Sequence, residues 1–540
     1  MQVTQLSKHD KVFLAFVMLL VVHLAFVFTG FYNNDDLNYA RYAAGIAQDG
    51  ILSVKAQNHY QLRWTVIFVS AFFYKIFGIN AITSALCSFI SVLLSGWLLK
   101  KIIHNYPPKV FVLSLVLFFF AHSILFYMQR ILPDPAMCLA VLGMYTAYRT
   151  YRLKQQNPIR YGLLFSLAFI LAIITKETII IALPLFILFF LADIYYKKYL
   201  NFWYYTIAFS LLFVFIYLLF FKITTGEYFY RYYLLQSNNY LSQCSFDKLP
   251  FENTLRRVGY ELWYAMLLNG DMLILLPALA ACFYRKKISQ YVMVDRLDVS
   301  AFFILLCSAN FMTISFSNYV PLCQDPRHFL FLFPFAAIIG GPLLYAYLKE
   351  PAKFLLLPVF ILIATGIIFY LQAGSTKYLY LLFFLILVAR LVLSVLSSKR
   401  IIFNLSFLAL IALFFINYLA DFIKPPYPYY QEHKEIINSH IRNLSRPAIL
   451  VSPDAFTAEM SEYFLNFKPG KRAIISLDTA TKIKGINFYY LVVEDLDPAS
   501  YIKADSLLKA GSKAKFFLVE RKKHVALYEA DSLAIMFLKQ

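Results

Sequence analysis

Two adjacent carboxylates, Asp35 and Asp36, follow the first long apolar run of the sequence, residues 12–29. A run of about eighteen apolar residues is long enough to cross a bilayer. Uncompensated carboxylates at a membrane boundary are costly, and such residues usually mark a working site. A carboxylate there is suited to remove a proton from a hydroxyl group. The alternative is that both residues are solvated loop residues without a chemical role.

Charged residues recur at the ends of later apolar runs. They are Arg63, Arg130 with Asp134, Lys176 with Glu177, and Arg327 with His328. Cations of this kind can bind a phosphate group and stabilise it as it leaves. For each cation taken singly, snorkelling or interfacial anchoring is the simpler explanation, and Lys176 with Glu177 is alternatively a mutually neutralising loop pair. Their common placement on one predicted membrane face favours a lipid-phosphate substrate.

The composition places these residues in a membrane protein. Of 540 residues, 61% are hydrophobic and 15% are charged, which is typical of a polytopic membrane protein. The formal charge of +20 does not indicate a nucleic-acid partner, because the basic residues form short clusters between apolar runs. The six cysteines show no CxxC pair and no metal-ligand spacing. The sequence therefore predicts neither a disulfide framework nor a metal site.

The apolar runs predict about thirteen transmembrane helices of roughly 17–25 residues each. They cover residues 11–30, 80–99, 111–127, 136–152, 161–175, 178–195, 203–221, 265–284, 299–317, 329–347, 353–371, 377–397 and 401–420. Basic clusters fall on every second connection if the amino terminus is cytoplasmic, as the positive-inside rule requires. The odd number of spans then places the carboxyl terminus outside. Residues 64–78 are too short for a span and carry Lys75, so they predict an interfacial helix against the outer leaflet.

The predicted organisation is a transmembrane domain, residues 1–424, followed by a small extracytoplasmic α/β domain, residues 425–540. The first domain carries two long external loops, residues 31–79 with short interfacial helices and residues 222–264. The second loop is aromatic and contains Arg231. Loops of this length usually form lids or binding loops, and an aromatic belt at the membrane interface is the alternative.

Beyond Pro425 the charged fraction rises, after a stiff linker that contains Pro425, Pro426 and Pro428. A helix is predicted at residues 456–465, with Asp454 as its cap. Strands are predicted at residues 448–451, 473–476, 489–493, 515–519 and 525–528. This part of the sequence has no glycine-rich phosphate loop and no catalytic motif, which favours a structural or acceptor-contacting role.

Asp35-Asp36 with residues 38–43 (NYARYA) resembles the Asp-Glu or Asp-Asp motif in the first external loop of integral-membrane GT-C glycosyltransferases. The protein O-mannosyltransferases and the bacterial lipid A aminoarabinose transferases are the most similar branches. The resemblance runs from about residue 10 to residue 345. It includes the interfacial helix at 63–78, the second external motif at 130–134, the Leu-x-x-Leu-Thr-Lys-Gly/Glu motif at 171–177, and the Arg-Tyr-like motif at 326–327.

Two positions depart from the family pattern. The interfacial helix of the family often begins Lys-Pro-Pro-Leu or His-Pro-Pro-Leu, whereas this sequence has Leu62-Arg63-Trp64. The second carboxylate is Asp36 rather than the commoner Glu. Neither departure removes a required base, but both leave the donor sugar and the acceptor undefined.

The resemblance implies a GT-C-like catalytic domain and an inverting glycosyltransferase that uses a polyprenyl-phosphate-linked sugar at the outer face of the cytoplasmic membrane. It also implies a metal-independent reaction without a cofactor, among membrane lipids, with a lipid, glycan or protein as acceptor. Asp35 would be the general base for the acceptor hydroxyl, and Asp36 and Asp134 would position acceptor or sugar. The implied donor-phosphate ligands are Arg63, Lys176 and Arg327, and the implied substrate contacts are Arg130, Glu177, His328 and Arg231.

Three other functions remain open from the sequence. A lipid or glycan flippase or transporter also needs many spans, but it predicts polar residues near the bilayer midplane and internal repeats. The charges here lie at predicted span ends instead. The second is a non-catalytic scaffold whose external domain binds a partner, and the third is an oligosaccharide ligase with a diphosphate-linked donor.

Overall fold

The computed structural model of the chain describes residues 6–27, 30–32, 34–50, 56, 58–237, 245–246, 249–315, 318–396, 399–423, 429–445, 447–452, 454–468, 470, 472–476, 487–493 and 516–530. The predicted proline linker and part of the predicted loop 222–264 lie outside these residues.

Helices make up most of the described chain up to residue 441. Apolar segments satisfy their own backbone hydrogen bonds in this way, as a bilayer requires. The α-helices are Lys8–Val27, Asn34–Asp49, Trp64–Phe77, Ala81–Ile103, Pro108–Phe119, His122–Tyr127, Asp134–Lys154, Pro158–Thr175, Leu183–Tyr195, Leu200–Thr225, Tyr230–Ser237, Phe251–Arg256, Leu262–Leu268, Met272–Ile288, Arg296–Phe311, Phe333–Lys349, Leu356–Tyr370, Thr376–Leu396, Lys399–Ile423, Tyr429–Ile436 and Ala455–Phe464. The 3-10 helices are His59–Leu62, Glu177–Ala182, Pro326–Leu332 and Pro351–Lys353, and π-helical turns occupy Arg257–Glu261 and Ile437–Ile441.

Eight helical segments of the described residues are long and apolar enough to cross a membrane. They are Lys8–Val27, Ala81–Ile103, Pro158–Thr175, Glu177–Tyr195, Leu200–Thr225, Pro326–Lys349, Thr376–Ser394 and Arg400–Ile423. Each of them coincides with a predicted span. The prediction of a polytopic helical membrane protein is therefore confirmed.

The other five predicted spans also fall on helices, but these helices are shorter or more highly charged. They are Pro108–Phe119, Asp134–Lys154, Met272–Ile288, Arg296–Phe311 and Leu356–Tyr370. A helix of 12 residues such as Pro108–Phe119 covers about 18 Å, less than the roughly 30 Å hydrocarbon core of a bilayer. The number of thirteen crossings stays a prediction. The predicted interfacial segment forms the helix Trp64–Phe77 of 14 residues, and its position against the leaflet stays a prediction as well.

The segment Pro326–Lys349 lies at the centre of the helical bundle, since 94% of its apolar stretch is buried. It packs against the helices Pro108–Phe119 and Met272–Ile288. The first contact requires Gly341, because a Cβ atom there would lie 2.2 Å from Ser114 Oγ. A helix packed on all sides in this way holds the side chains at its two ends in fixed positions.

The chain divides into two compact units. The first comprises Met1–Ala25, Ser53–Val66 and Ala85–Ala420, and the second comprises Phe26–Leu52, Ile67–Ser84 and Asp421–Gln540. The second unit thus combines the carboxyl-terminal part of the chain with two pieces of the predicted loop 31–79. The predicted domain boundary between residues 424 and 425 stays a prediction.

The carboxyl-terminal part of the chain forms a small α/β structure, as predicted. Its strands are β1 (Ala448–Ser452), β2 (Arg472–Ser476), β3 (Asn487–Val493), β4 (Phe516–Arg521) and β5 (Val525–Ala530). They form one sheet in the order β2-β1-β3-β5-β4, in which β1 is parallel to β2 and β3 while β5 is antiparallel to β3 and β4. The helix Ala455–Phe464 begins after Asp454, whose side chain accepts a hydrogen bond from the backbone N of Thr457.

One cysteine corrects the prediction that the chain lacks a disulfide framework. Cys323 is disulfide-bonded. Among the described residues, Cys87, Cys138, Cys282 and Cys307 are free thiols. A single disulfide depends on the distance between two residues in the fold. The spacing of cysteines along the sequence carries no signal for it.

Candidate functional site

Lys176 and Glu177 lie at a break between two helices of the first unit. The helix Pro158–Thr175 ends at Lys176, whose backbone is extended (φ −162°, ψ 143°), and the 3-10 helix Glu177–Ala182 begins at the next residue. In extended backbone, consecutive side chains point to opposite sides. The break therefore sends the Lys176 and Glu177 side chains to different partners.

Lys176 joins Asp134 and His328 in a buried cluster. Lys176 Nζ lies 2.6 Å from Asp134 Oδ1 and 2.8 Å from His328 Nδ1, and the latter two atoms are 3.1 Å apart. The Lys176 and Asp134 side chains are only 4% and 5% exposed. Asp134 is the first residue of the helix Asp134–Lys154, where the helix dipole favours a carboxylate. Three predicted site residues from distant parts of the sequence thus meet.

The hydrogen-bonding pattern of this cluster follows from its geometry. An ammonium group can only donate hydrogen bonds, so His328 Nδ1 accepts from Lys176 and the ring proton lies on Nε2. Lys176 then uses two of its three N–H groups, and among the described residues the third has no partner. Burial lowers the pKa of the Lys176 ammonium below its usual value, and the Asp134 carboxylate opposes that shift. The charge on Lys176 therefore depends on Asp134.

Glu177 is held by two arginines. Arg63 Nη2 donates to Glu177 Oε1, and Arg231 Nη2 lies 3.3 Å from Glu177 Oε2. Arg231 also donates to Tyr217 Oη at 3.2 Å. All three charged side chains are at most 12% exposed. The alternative in which Lys176 and Glu177 neutralise each other in a loop is wrong, because each residue pairs with other side chains.

Arg327 is paired with Asp325, which is not among the predicted site residues. Arg327 Nε lies 3.1 Å from Asp325 Oδ2, and Asp325 also caps the 3-10 helix Pro326–Leu332. Tyr127 Oη donates to Asp325 Oδ1 at 2.7 Å. An Asp-Pro pair in front of a helix is a sequence signal for a cap, so Asp325 could have been found. The approach of Tyr127 depends on tertiary packing and has no such signal.

Arg130 is buried in the turn before the helix Asp134–Lys154, with 1% of its surface exposed. Its guanidinium carbon lies 4.4 Å from the centre of the Phe126 ring. A guanidinium over an aromatic face is a stabilising arrangement. The substrate contact predicted for Arg130 stays a prediction.

The three cations predicted to bind phosphate form one electrostatic group. The charges of Arg63 and Arg327 both act on the Lys176 ammonium. Charge interactions in a buried site are stronger than in water. Four cations and three carboxylates make up the paired set, namely Arg63, Lys176, Arg231 and Arg327 with Asp134, Glu177 and Asp325. Cations held in fixed positions in this way are suited to bind an anionic group.

An apolar cavity of about 220 Å³ lies beside this set of charges. Glu177 and Arg231 contribute to its wall, and the rest of the lining is mainly aliphatic and aromatic, including Ile180, Tyr217 and Phe221. A pocket with apolar sides and a few charged groups binds ligands that have both an apolar part and a charged part. The arrangement suits an amphiphile with an anionic head group.

Asp35 and Asp36 lie in the second unit, in the first turn of the helix Asn34–Asp49. Asp36 is fully buried, and its Oδ2 accepts from the backbone N of Tyr32 at 2.7 Å. Asp35 is half-buried. The helix dipole favours both carboxylates at this end. The alternative of a solvated loop residue is wrong for Asp36, and Asp35 is the more accessible of the two.

The helix that carries both aspartates is attached to the carboxyl-terminal part of the same unit. Arg41 Nη2 lies 2.7 Å from Glu462 Oε2, on the helix Ala455–Phe464. Arg41 belongs to the motif that follows the aspartates, and its partner is more than 400 residues away in the sequence. The carboxyl-terminal residues therefore help to position the helix of Asp35.

Replacing Glu177 by Gln is expected to destabilise the protein by about 3–5 kcal/mol, because Arg63 and Arg231 are left buried without their shared carboxylate. Thermal unfolding of the purified full chain measures the effect. Glu350→Gln is the matched control, since its partner Lys353 and Glu350 itself are 50% and 47% exposed and such pairs contribute at most about 1 kcal/mol. Equal stability of the two variants would contradict the buried pairing.

No protein-family model matches the sequence, and no curated protein matches it significantly. The structure is similar to the crystal structure of ArnT from Cupriavidus metallidurans bound to undecaprenyl phosphate, with a TM-score of 0.58 and 12% identity over 96% of this chain and 97% of that chain. The apo structure of the same protein gives a TM-score of 0.56 with the same identity and coverage. The chain therefore has the same fold as ArnT, in agreement with the fold class that the motif resemblance implied.

Proposed function

We propose that this protein is a glycosyltransferase that takes a sugar from a polyprenyl-phosphate-linked donor and passes it to a lipid, glycan or protein. The observation that carries the proposal is the group of Arg63, Lys176 and Arg327, in which Arg63 is paired with Glu177. Glu177 in turn lines an apolar cavity. A phosphate with a hydrocarbon chain matches this site, because the phosphate is anionic and the chain is apolar. The fold supports the same conclusion, because ArnT was crystallised with undecaprenyl phosphate.

In this proposal the cation group binds the donor phosphate. Lys176 has one N–H group left for a phosphate oxygen, and the guanidinium groups of Arg63 and Arg327 offer planar pairs of donors. The bond between the anomeric carbon and the phosphate oxygen breaks with its electron pair going to the phosphate. The charge on the phosphate grows as the sugar leaves. Donors that are already oriented in a buried site stabilise that charge most in the transition state.

Asp35 is the proposed general base, on the strength of the motif Asp35-Asp36 and of its greater exposure. It takes the proton of the acceptor hydroxyl while the acceptor oxygen forms a bond to the anomeric carbon, on the face opposite the leaving phosphate. This displacement inverts the configuration of the sugar. Asp36 and Asp134 are proposed to position acceptor or sugar.

The amino terminus is proposed to lie in the cytoplasm, with Asp35 and the carboxyl-terminal domain outside. The disulfide of Cys323, which lies in the segment before Arg327, supports this orientation because disulfides persist in oxidising compartments. Cysteines introduced at Lys154 and Lys287 should be labelled by an impermeant reagent only after the membrane is opened. A cysteine at Asp49 should be labelled in intact cells. All three positions are exposed, and equal labelling of the cysteines at positions 49 and 154 in intact cells would contradict the proposal.

The function itself is tested by mass spectrometry of glycolipids and glycoproteins from cells with and without this protein. Loss of the protein should remove one sugar from a defined acceptor and leave the polyprenyl-phosphate sugar unused. Purified protein with extracted polyprenyl-phosphate donor and that acceptor should restore transfer. Donor translocation across proteoliposomes without any transfer would indicate a flippase instead, and transfer from a diphosphate-linked donor alone would indicate a ligase.

A further inference from the structure

A second group of cations lies at the other end of the central segment Pro326–Lys349. Arg327 is near its beginning and Lys349 is its last residue, so at about 1.5 Å per residue the two ends of this 24-residue segment are roughly 35 Å apart. Near Lys349 the segment borders a cavity of about 820 Å³. The lining consists of residues from four α-helices and one 3-10 helix. The α-helices are Pro108–Phe119, Phe333–Lys349, Thr376–Leu396 and Lys399–Ile423, and the 3-10 helix is Pro351–Lys353.

The lining of this cavity is strongly basic. Its described residues include one carboxylate, Glu350, which lies 2.6 Å from Lys353 Nζ. The charges of Lys349 and Arg400 act on Lys109 as repulsive neighbours. Five cations line the cavity, namely Lys109, Lys349, Lys353, Arg390 and Arg400. Like charges held close together at the end of a helical bundle are unfavourable unless an anion joins them.

Arg390 is the most informative of these cations, because only 2% of its surface is exposed. Its Nε donates to the carbonyl of Leu348 at 2.8 Å, and its Nη2 donates to the carbonyl of Lys349 at 3.4 Å. Its Nη1 has no hydrogen-bond partner among the described residues. Carbonyl groups orient the guanidinium but do not neutralise it. A buried cationic donor that lines a cavity and lacks a protein partner is available to an anionic ligand.

The same cavity has an apolar side. Phe403 and Leu348 are part of its lining, and Lys109 Nζ lies 4.4 Å from the centre of the Phe403 ring. Next to the cavity, Ile401 and Leu405 are exposed by 61% and 62%, as is usual for side chains that face lipid. The anion that fits here therefore reaches the site from the bilayer and has hydrocarbon chains.

We propose that this cavity binds the phosphodiester head group of an anionic membrane phospholipid, in the leaflet at which the helix Phe333–Lys349 ends. The excess of positive charge favours a head group with two phosphodiesters over one with a single charge. Basic pockets between helices at the cytoplasmic side are known lipid sites, and the predicted orientation places Lys349 on that side. The site is separate from the proposed donor site, and lipid binding there stabilises the bundle whatever reaction the protein performs.

The test uses the purified full chain, stripped of lipid in a neutral detergent, and measures thermal unfolding and lipid binding by native mass spectrometry. Cardiolipin should raise the unfolding temperature in a saturable way, and phosphatidylcholine should not. Lys109→Gln and Arg400→Gln should each weaken cardiolipin binding about fivefold, the effect of one cation near an anionic head group. Lys286→Gln is the matched control, since Lys286 is an exposed cation of another basic cluster and does not line the cavity.

Several outcomes would overturn the proposal. Equal stabilisation by cardiolipin and phosphatidylcholine would show that charge plays no part. Stabilisation by glycerol phosphate as strong as that by cardiolipin would identify a soluble phosphate as the ligand instead of a lipid. Binding losses that are the same for Lys286→Gln as for Lys109→Gln would show a general surface effect. If Arg400→Gln fails to fold, the result for Lys109→Gln decides between the outcomes. Lys109 is half-buried at a helix end, and its replacement removes one positive charge from the cavity.

Discussion

The Asp35→Asn variant is expected to reach the membrane in normal amounts and to lose at least about a hundredfold of its sugar transfer, the lower range for a general base. The substitution keeps the size of the side chain but removes the group that takes the proton of the acceptor. Asp35 lies in the first turn of the helix Asn34–Asp49 and is half-buried, so the fold should tolerate the change. The measurement is the rate of transfer from a polyprenyl-phosphate sugar by purified protein.

Asp49→Asn is the matched control for this variant. Asp49 ends the same helix and is exposed, with Lys468 Nζ at 3.2 Å, so its loss removes the same charge without affecting a proposed catalytic group. Transfer by Asp49→Asn should remain within about twofold of the parent, since exposed ion pairs contribute little. Parental turnover in Asp35→Asn would exclude it as the base. If Asp36→Asn alone abolishes transfer, the roles of Asp35 and Asp36 are exchanged.

Neutral replacement of the proposed phosphate ligands is expected to weaken donor binding by about 10- to 100-fold for each residue, the range for a hydrogen bond to a charged group. The variants are Arg63→Gln, Lys176→Gln and Arg327→Gln. Transfer should fall further than binding, because the phosphate carries more charge in the transition state than in the bound donor. Direct binding of a polyprenyl-phosphate sugar and the rate of a single turnover separate the two effects.

Lys222→Gln serves as the control for the cation variants, since Lys222 is exposed at the end of the helix Leu200–Thr225 and donates to the Gly226 carbonyl. Its donor affinity should equal that of the parent. Asp35→Asn should also keep donor affinity, because the base acts on the acceptor. The proposed division of roles is wrong if Arg63→Gln and Arg327→Gln bind donor like the parent while Asp35→Asn does not.

Hydrophobic patterning along the chain was sufficient to predict the membrane class and most of the helices. Predicted spans such as 161–175 and 401–420 coincide with Pro158–Thr175 and Arg400–Ile423. An apolar run of that length satisfies its backbone hydrogen bonds in a bilayer by forming an α-helix. The five strands of the carboxyl-terminal part and the Asp454 cap were also predicted. Both rest on local signals, namely residue periodicity and cap chemistry.

The sequence did not predict which charged groups pair with each other. Adjacent residues Lys176 and Glu177 suggested an ion pair, yet Lys176 pairs with Asp134 and Glu177 with Arg63 and Arg231. The extended backbone of Lys176 turns the two side chains apart, and helix packing decides what each of them meets.

The order of the amino acids was thus enough to establish that this is a helical membrane protein with cations and carboxylates at its span ends, because hydropathy and capping act over a few residues. The disulfide of Cys323, the bond from Tyr127 to Asp325, and the basic cavity around Arg390 came only from the folded chain. The bond from Tyr127 to Asp325 and the cavity around Arg390 join residues that are distant in sequence. Their distances are set by how the helices pack rather than by any local preference.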